Sequence, residues 1–81
     1  MTNLEKYEKV FCETFEVAKS QLNEQFTFKE IEEWNSMIHI SLVASLEDEF
    51  DVLFDAEDVL NWESYLNGIK ILEKYGISFD E

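Results

Sequence analysis

The sequence predicts an all-α fold: a four-helix bundle with three longer helices, one short third helix and a long loop between helices 1 and 2. Three observations lead there. Proline is absent and glycine occurs only twice, which disfavours a turn-rich β architecture. Apolar residues recur at spacings of three and four rather than two. Hydroxyl and amide side chains stand where helices should start. The 81 residues leave room for one domain, residues 1–81. Apolar residues make up 46% of the chain, enough for a core and too many for a disordered tail. A domain this small buries only roughly 60% of its unfolded surface, so its stability should be marginal.

Thr2-x-x-Glu5 is a capping box, in which each side chain satisfies a backbone N–H of the other. Leu4, Tyr7, Phe11, Phe15, Ala18 and Leu22 then mark one continuous apolar face, and helix 1 is expected from about Asn3 to Lys19. Ser20 to Glu33 has no clean period. Phe26, Phe28 and Ile31 are too apolar for a free linker, so a packed loop is expected, with room for a helical turn around Phe28 to Glu32. Its fourteen residues are long for an unstructured connection, which hints at function. Trp34 should anchor the loop's end against the core.

The polar pair Asn35-Ser36 precedes helix 2, expected from Ser36 to Phe50, with Met37, Ile40, Val43, Ala44, Leu46 and Phe50 as its apolar stripe. Glu47, Asp48 and Glu49 end this helix with acid, against the dipole's preference for cations at a C-terminus. Such acids suggest a purpose other than helix stability. Asp51 to Phe54 is a short link. Asp55-x-x-Asp58 reads as a cap with acid in the first turn of a short helix 3 that runs through Leu60. Ser64 caps helix 4, whose face is Tyr65, Ile69, Leu72 and Tyr75, flanked by Leu66 and Ile71. Gly76 fits a left-handed C′ position, with Ile77 as the hydrophobic residue that follows.

Nineteen acids against six bases give a net charge of −13. From Glu30 through Ile69 there is no Lys or Arg, while eleven acids fall in that span. Nucleic-acid binding is excluded on this ground, because phosphate neutralisation needs Lys and Arg. Anionic membrane surfaces are disfavoured likewise. Partners with basic patches are favoured, and steering toward them would be salt-sensitive. A merely solvated acidic surface is the plain alternative. No run of about 18 apolar residues is present, and the N-terminus lacks a basic-then-apolar signal pattern. A cytoplasmic monomer without membrane insertion is expected. The lone Cys12, which has no internal partner, agrees with a reducing compartment.

Little here supports catalysis. The chain has one His, no cysteine pair, no glycine-rich phosphate loop and no calcium loop, so neither a catalytic nor a metal site is expected. Divalent cations should only relieve repulsion among the acids. Ser36 and His39 stand three apart, but no orienting acid or oxyanion donor accompanies them. His39 therefore reads as an exposed helix residue. The Glu47–Glu49 carboxylates read as a solvated helix end. Ser36 reads first as an ordinary cap. A second reading is a covalent attachment point, because a phosphodiester at a helix N-terminus is stabilised by the dipole and free N–H groups.

The segment Trp34-Asn35-Ser36-Met37-x-His39-Ile40-x-Leu42-Val43-Ala44-x-Leu46-Glu47-Asp48-Glu49-Phe50 resembles the second helix of acyl carrier proteins. That family carries D-S-L or D-S-M, then an aliphatic helix, then L-E-x-E-F. The resemblance covers nearly the whole chain and implies a bundle of acyl-carrier type. It implies 4′-phosphopantetheine, a covalent cofactor, on Ser36, with acyl groups held as thioesters on its terminal thiol. The carrier itself is then no enzyme. Met37 takes the position that modifying enzymes contact, and Glu47, Asp48, Glu49 and Asp58 become a docking surface. The partners implied are a phosphopantetheinyl transferase and acyl-loading and acyl-transferring enzymes with basic patches. Val43, Leu46, Phe50, Phe54, Val59 and Ile69 would line the interior that shelters a short acyl chain.

Two positions depart from the family. Asn35 stands in place of Asp before the serine, which removes a charge that the transferase meets with a basic group; slower or transferase-selective modification is expected. Ser41 stands where many members keep an acid. Both departures point to a specialised pathway rather than the primary fatty-acid pathway. Leu60-Asn61-Trp62-Glu63-Ser64-Tyr65 and Lys74-Tyr75-Gly76-Ile77 are similar to small stand-alone carriers outside that pathway. The peptidyl-carrier pattern of two glycines before the serine is absent. The other class of function open to the chain is an unmodified acidic interaction module of the same fold.

Overall fold

Helices begin where their caps stand. In the computed structural model, which describes residues 2–79, the Thr2 hydroxyl accepts the Glu5 N–H at 3.1 Å and the Glu5 carboxylate accepts the Thr2 N–H at 3.0 Å. The Thr2 N–H, and after it the Thr2 hydroxyl, hold the Glu5 carboxyl below its ordinary range. Four helices follow: α1 (Asn3–Phe15), α2 (Ser36–Phe50), α3 (Ala56–Leu60) and α4 (Tyr65–Lys74), with a single 3₁₀ turn at Lys19–Gln21. No strand forms among the described residues, and their Cα radius of gyration is 11.6 Å. A compact chain of this length should give about 12 Å. The fold is a small all-helical bundle.

Helix α1 stops at Phe15, a turn short of the expected Lys19. Glu16 turns left-handed at φ 54° and the Val17 N–H bonds back to the Cys12 carbonyl at 3.2 Å. Side-chain spacing alone does not register this stop, because the apolar period continues past it. Ala18 is consequently exposed and Leu22 is a half-buried loop residue. The face that α1 buries is Tyr7, Val10, Phe11 and Phe15.

The loop from 16 to 35 is packed, as its aromatics demand. Phe26 is 3% exposed and Trp34 2%. Its backbone partly pairs with the segment before α4: Phe28 N–H donates to Glu63 O at 2.7 Å and Tyr65 N–H to Phe26 O at 2.9 Å. A turn forms at residues 27–31, closed by Ile31 N–H to Thr27 O at 2.9 Å.

Helix α4 begins with a second capping box, Ser64 with Asn67, and ends as expected. Gly76 has φ 89°, the Ile77 N–H reaches the Leu72 carbonyl at 3.2 Å, and the Gly76 N–H reaches Glu73 at 3.1 Å. That is the Schellman pattern. Its buried residues are Tyr65, Gly68, Ile71 and Leu72; Ile69 and Tyr75 are half-buried, and Leu66 lies mostly outside.

The core is a stack of aromatic rings. Phe11 meets Phe15, Phe26, Trp34 and Tyr65 with ring centroids 5.2 to 5.9 Å apart. Tyr7 stacks on Tyr65 at 5.1 Å, and its hydroxyl donates to the Tyr65 carbonyl at 2.6 Å. Burial drives the Tyr7 phenol well above its ordinary range and the Tyr65 phenol to about 12. Such ring pairs add about 0.5–1.5 kcal/mol each beyond the area they bury. Gly68 is required here: a Cβ at that position would overlap the Tyr7 hydroxyl and the Trp62 indole. The Trp62 indole N–H, buried beside them, finds no acceptor among the described residues.

Candidate functional site

The start of α2 sets the site. Asn35 is extended at φ −105°, ψ −178°, and its side-chain oxygen accepts the Ile38 N–H at 3.0 Å. Asn35 therefore does the capping. Ser36, the first helical residue, is exposed and its hydroxyl makes no hydrogen bond to any described residue. The reading of Ser36 as the cap is thereby corrected: capping needs extended backbone at the capping residue, and Asn35 already supplies it. A nucleophilic oxygen is left facing solvent beside the free N–H groups of a helix N-terminus.

The apolar stripe expected on α2 is rotated from its assigned place. Leu42, Val43 and Leu46 are buried, while Met37 is 80% and Ile40 67% exposed and Ala44 also lies outside. Positions 37, 40 and 44 share one helix face. That face carries an exposed apolar strip from Met37, next to Ser36, to a shallow groove formed by Ala44, Glu47, Asp48, Asp51, Val52 and Leu53. Leu53 is 83% exposed. Apolar side chains rimmed by carboxylates are what a basic, partly apolar partner surface complements.

The four acids assigned to docking divide. Asp48 is exposed, Glu49 half-exposed. Glu47 faces the link after α2 and accepts the Phe54 N–H at 2.9 Å. Asp58 lies inward, only 6% exposed. Its carboxylate takes the Lys74 ammonium at 2.7 Å and the Tyr75 hydroxyl, which in turn accepts the Asp55 N–H at 3.0 Å. The Lys74 and Tyr75 bonds lower the Asp58 carboxyl from its usual range, while the same carboxylate raises the Lys74 ammonium and the Tyr75 phenol. Asp58 thus ties α3 to the end of α4, and its carboxylate does not stand on the exposed surface with Asp48. Asp55 stands at the cap position of α3, but its side chain makes no capping bond.

His39 also differs from expectation. It is half-buried rather than exposed, its Nδ1 accepts the Trp34 indole N–H at 3.0 Å, and its Nε2 lies 2.7 Å from the Val59 carbonyl. This bridge was not visible in the spacing of the sequence, because Trp34 belongs to the loop and Val59 lies twenty residues away. The only available hint was a Trp immediately before a helix cap in a chain with a single His.

Of the residues assigned to the interior, Leu46 and Val43 are buried, and Phe50, Phe54, Val59 and Ile69 are half-buried. Phe54 packs edge-on against Trp62 at 5.2 Å and Tyr75 at 5.1 Å. Cys12 is half-buried on α1, its thiol raised by burial and by Glu8. Among the described residues, no three His, Cys, Asp or Glu side chains cluster to hold a metal. Among the described residues, no helix is long and apolar enough to cross a membrane. No family model matches this chain, and no curated protein matches it either.

Proposed function

We propose that this protein is an acyl carrier, holding acyl groups as thioesters on a 4′-phosphopantetheine arm attached to Ser36. The observation that carries the reading is the division of labour at the start of α2: Asn35 caps the helix and leaves the Ser36 hydroxyl exposed and uncommitted. A phosphodiester there would lie against the positive end of a fifteen-residue helix. The exposed Met37 and Ile40, with Asp48 and Glu49 further along, form the surface on which a transferase and acyl-transferring enzymes with basic patches would dock. Asn35 in place of an acid favours a specialised pathway over primary fatty-acid synthesis. The resemblance of residues 34–50 to the second helix of acyl carrier proteins supports the same reading.

A second reading is favoured by Asn35 alone: an unmodified acidic module that engages partners through the same α2 face. Incubation with a phosphopantetheinyl transferase and coenzyme A separates the two. The carrier reading expects the wild-type chain to gain one phosphopantetheine mass and Ser36→Ala to gain none. Equal gain on both, or none on either with several transferases, removes Ser36 as the attachment site.

A further inference from the structure

Helix α3 is held differently from its neighbours. Its one buried side chain is the carboxylate of Asp58, and Val59 is half-buried, so little apolar area presses it down. Toward α4 it is fixed by Lys74 and Tyr75 on Asp58. Toward α2, the hydrogen bonds among the described residues reduce to one, between His39 Nε2 and the Val59 carbonyl at 2.7 Å.

The orientation of that ring is itself fixed. Nδ1 accepts from Trp34 at 3.0 Å, so the donor proton sits on Nε2 and points at Val59. Phe28 stands edge-on to the imidazole, at 6.2 Å and 90°. Trp34 is wedged against Phe11, Phe15 and Phe26 in the aromatic core. The core thus sets the indole, the indole sets the imidazole, and the imidazole sets α3.

We propose that His39 is a positioning residue that latches α3 against α2, and that α3, too short to stay helical once it comes away from α2, unwinds when this one bond is lost while α1, α2 and α4 remain folded. Release of α3 from α2 exposes the half-buried Val59 that α3 itself carries. That this admits a group carried on Ser36 rests on the carrier reading. The latch does not, and it is tested on the unmodified chain, so either can fail alone.

The test is amide and indole hydrogen exchange by NMR on wild type, His39→Ala, His39→Gln and His39→Asn. In wild type the α3 bonds Val59 N–H to Asp55 O and Asn61 N–H to Glu57 O report closure. With His39→Ala these amides should exchange at least about fivefold faster, the loss of one hydrogen bond, while the core amides of α1 and α4 keep their rates. The Gln amide reaches the Val59 carbonyl, so His39→Gln should restore α3 and leave the Trp34 indole exchanging fast. The Asn oxygen stands where Nδ1 does, so His39→Asn should protect the indole and leave α3 open. Wild-type α3 exchange in His39→Ala, acceleration of all helices by one factor, or identical behaviour of the Gln and Asn variants each overturns the latch. Should His39→Ala not fold, the Gln and Asn pair decides alone.

Discussion

The two sides of the molecule are built on different physics. Where α1, α4 and the long loop meet, cohesion comes from interlocked aromatic rings: Tyr7, Phe11, Phe15, Phe26, Trp34, Trp62 and Tyr65 are all at most 8% exposed. Around α2 and α3, apolar side chains face outward at Met37, Ile40, Leu53 and Leu60, and α3 is tied on by polar contacts at His39 and Asp58 rather than by apolar packing. Packing of the first kind is cooperative and hard to open locally. Hydrogen bonds contribute only about 1 kcal/mol each and can be exchanged for water. A protein that must keep its shape while one edge opens and docks would be divided in this way.

The largest expected effects lie on the aromatic side. Phe11→Ala should cost about 3–5 kcal/mol, comparable to the whole stability of a domain this size. Gly68→Ala should cost about 1–3 kcal/mol by forcing the Tyr7 hydroxyl and the Trp62 indole apart. Urea unfolding followed by tryptophan fluorescence and far-UV dichroism checks both. Coincident transitions in the two probes would confirm that the aromatic side unfolds as one unit, and losses under 1 kcal/mol would show that it does not dominate.

Smaller effects are expected at the start of α2. Asn35→Ala should cost about 1 kcal/mol through the lost cap, whereas Asn35→Asp should change stability by only a few tenths. If the carrier reading holds, Asn35→Asp should nevertheless speed modification of Ser36, a change in activity without one in stability. Thermal midpoints measured beside transferase rates would expose a failure, namely Asp and Ala variants modified at the same rate.

The smallest global effect is expected from Asp58, and it should depend on pH. Lys74 and Tyr75 lower the carboxyl in the folded state. Its contribution is therefore complete above the ordinary carboxylate range near 4 and is lost as pH falls through the lowered value. Asp58→Asn should melt below wild type at pH 7, and the gap should close as pH falls below the ordinary carboxylate range. A gap that stays constant across that interval would mean that the carboxylate is not what joins α3 to α4.

Local signals made much of the fold legible. The Thr2 box, the Ser64 cap, the Asn35 start of α2 and the glycine stop at Gly76 each rest on contacts within six residues, which the spacing of the sequence records. The end of α1 is not legible, because Glu16 adopts a left-handed turn that its residue type does not advertise. The stripe of α2 is not legible because helical spacing alone does not say whether an apolar residue faces the core or the outside, and Met37 and Ile40 lie outside. The His39 and Asp58 bridges were invisible for a different reason. Each joins elements sixteen or more residues apart through one or two polar contacts, and no periodicity encodes such a pair.

The most direct test of the central claim is the intact and peptide mass of the protein isolated from its own cells. The carrier account predicts a phosphopantetheine on the peptide containing Ser36, with an acyl group on its thiol in part of the population. A chain recovered only at its unmodified mass, from cells with an active transferase, would contradict it and leave the exposed face of α2 as the working part of an interaction module.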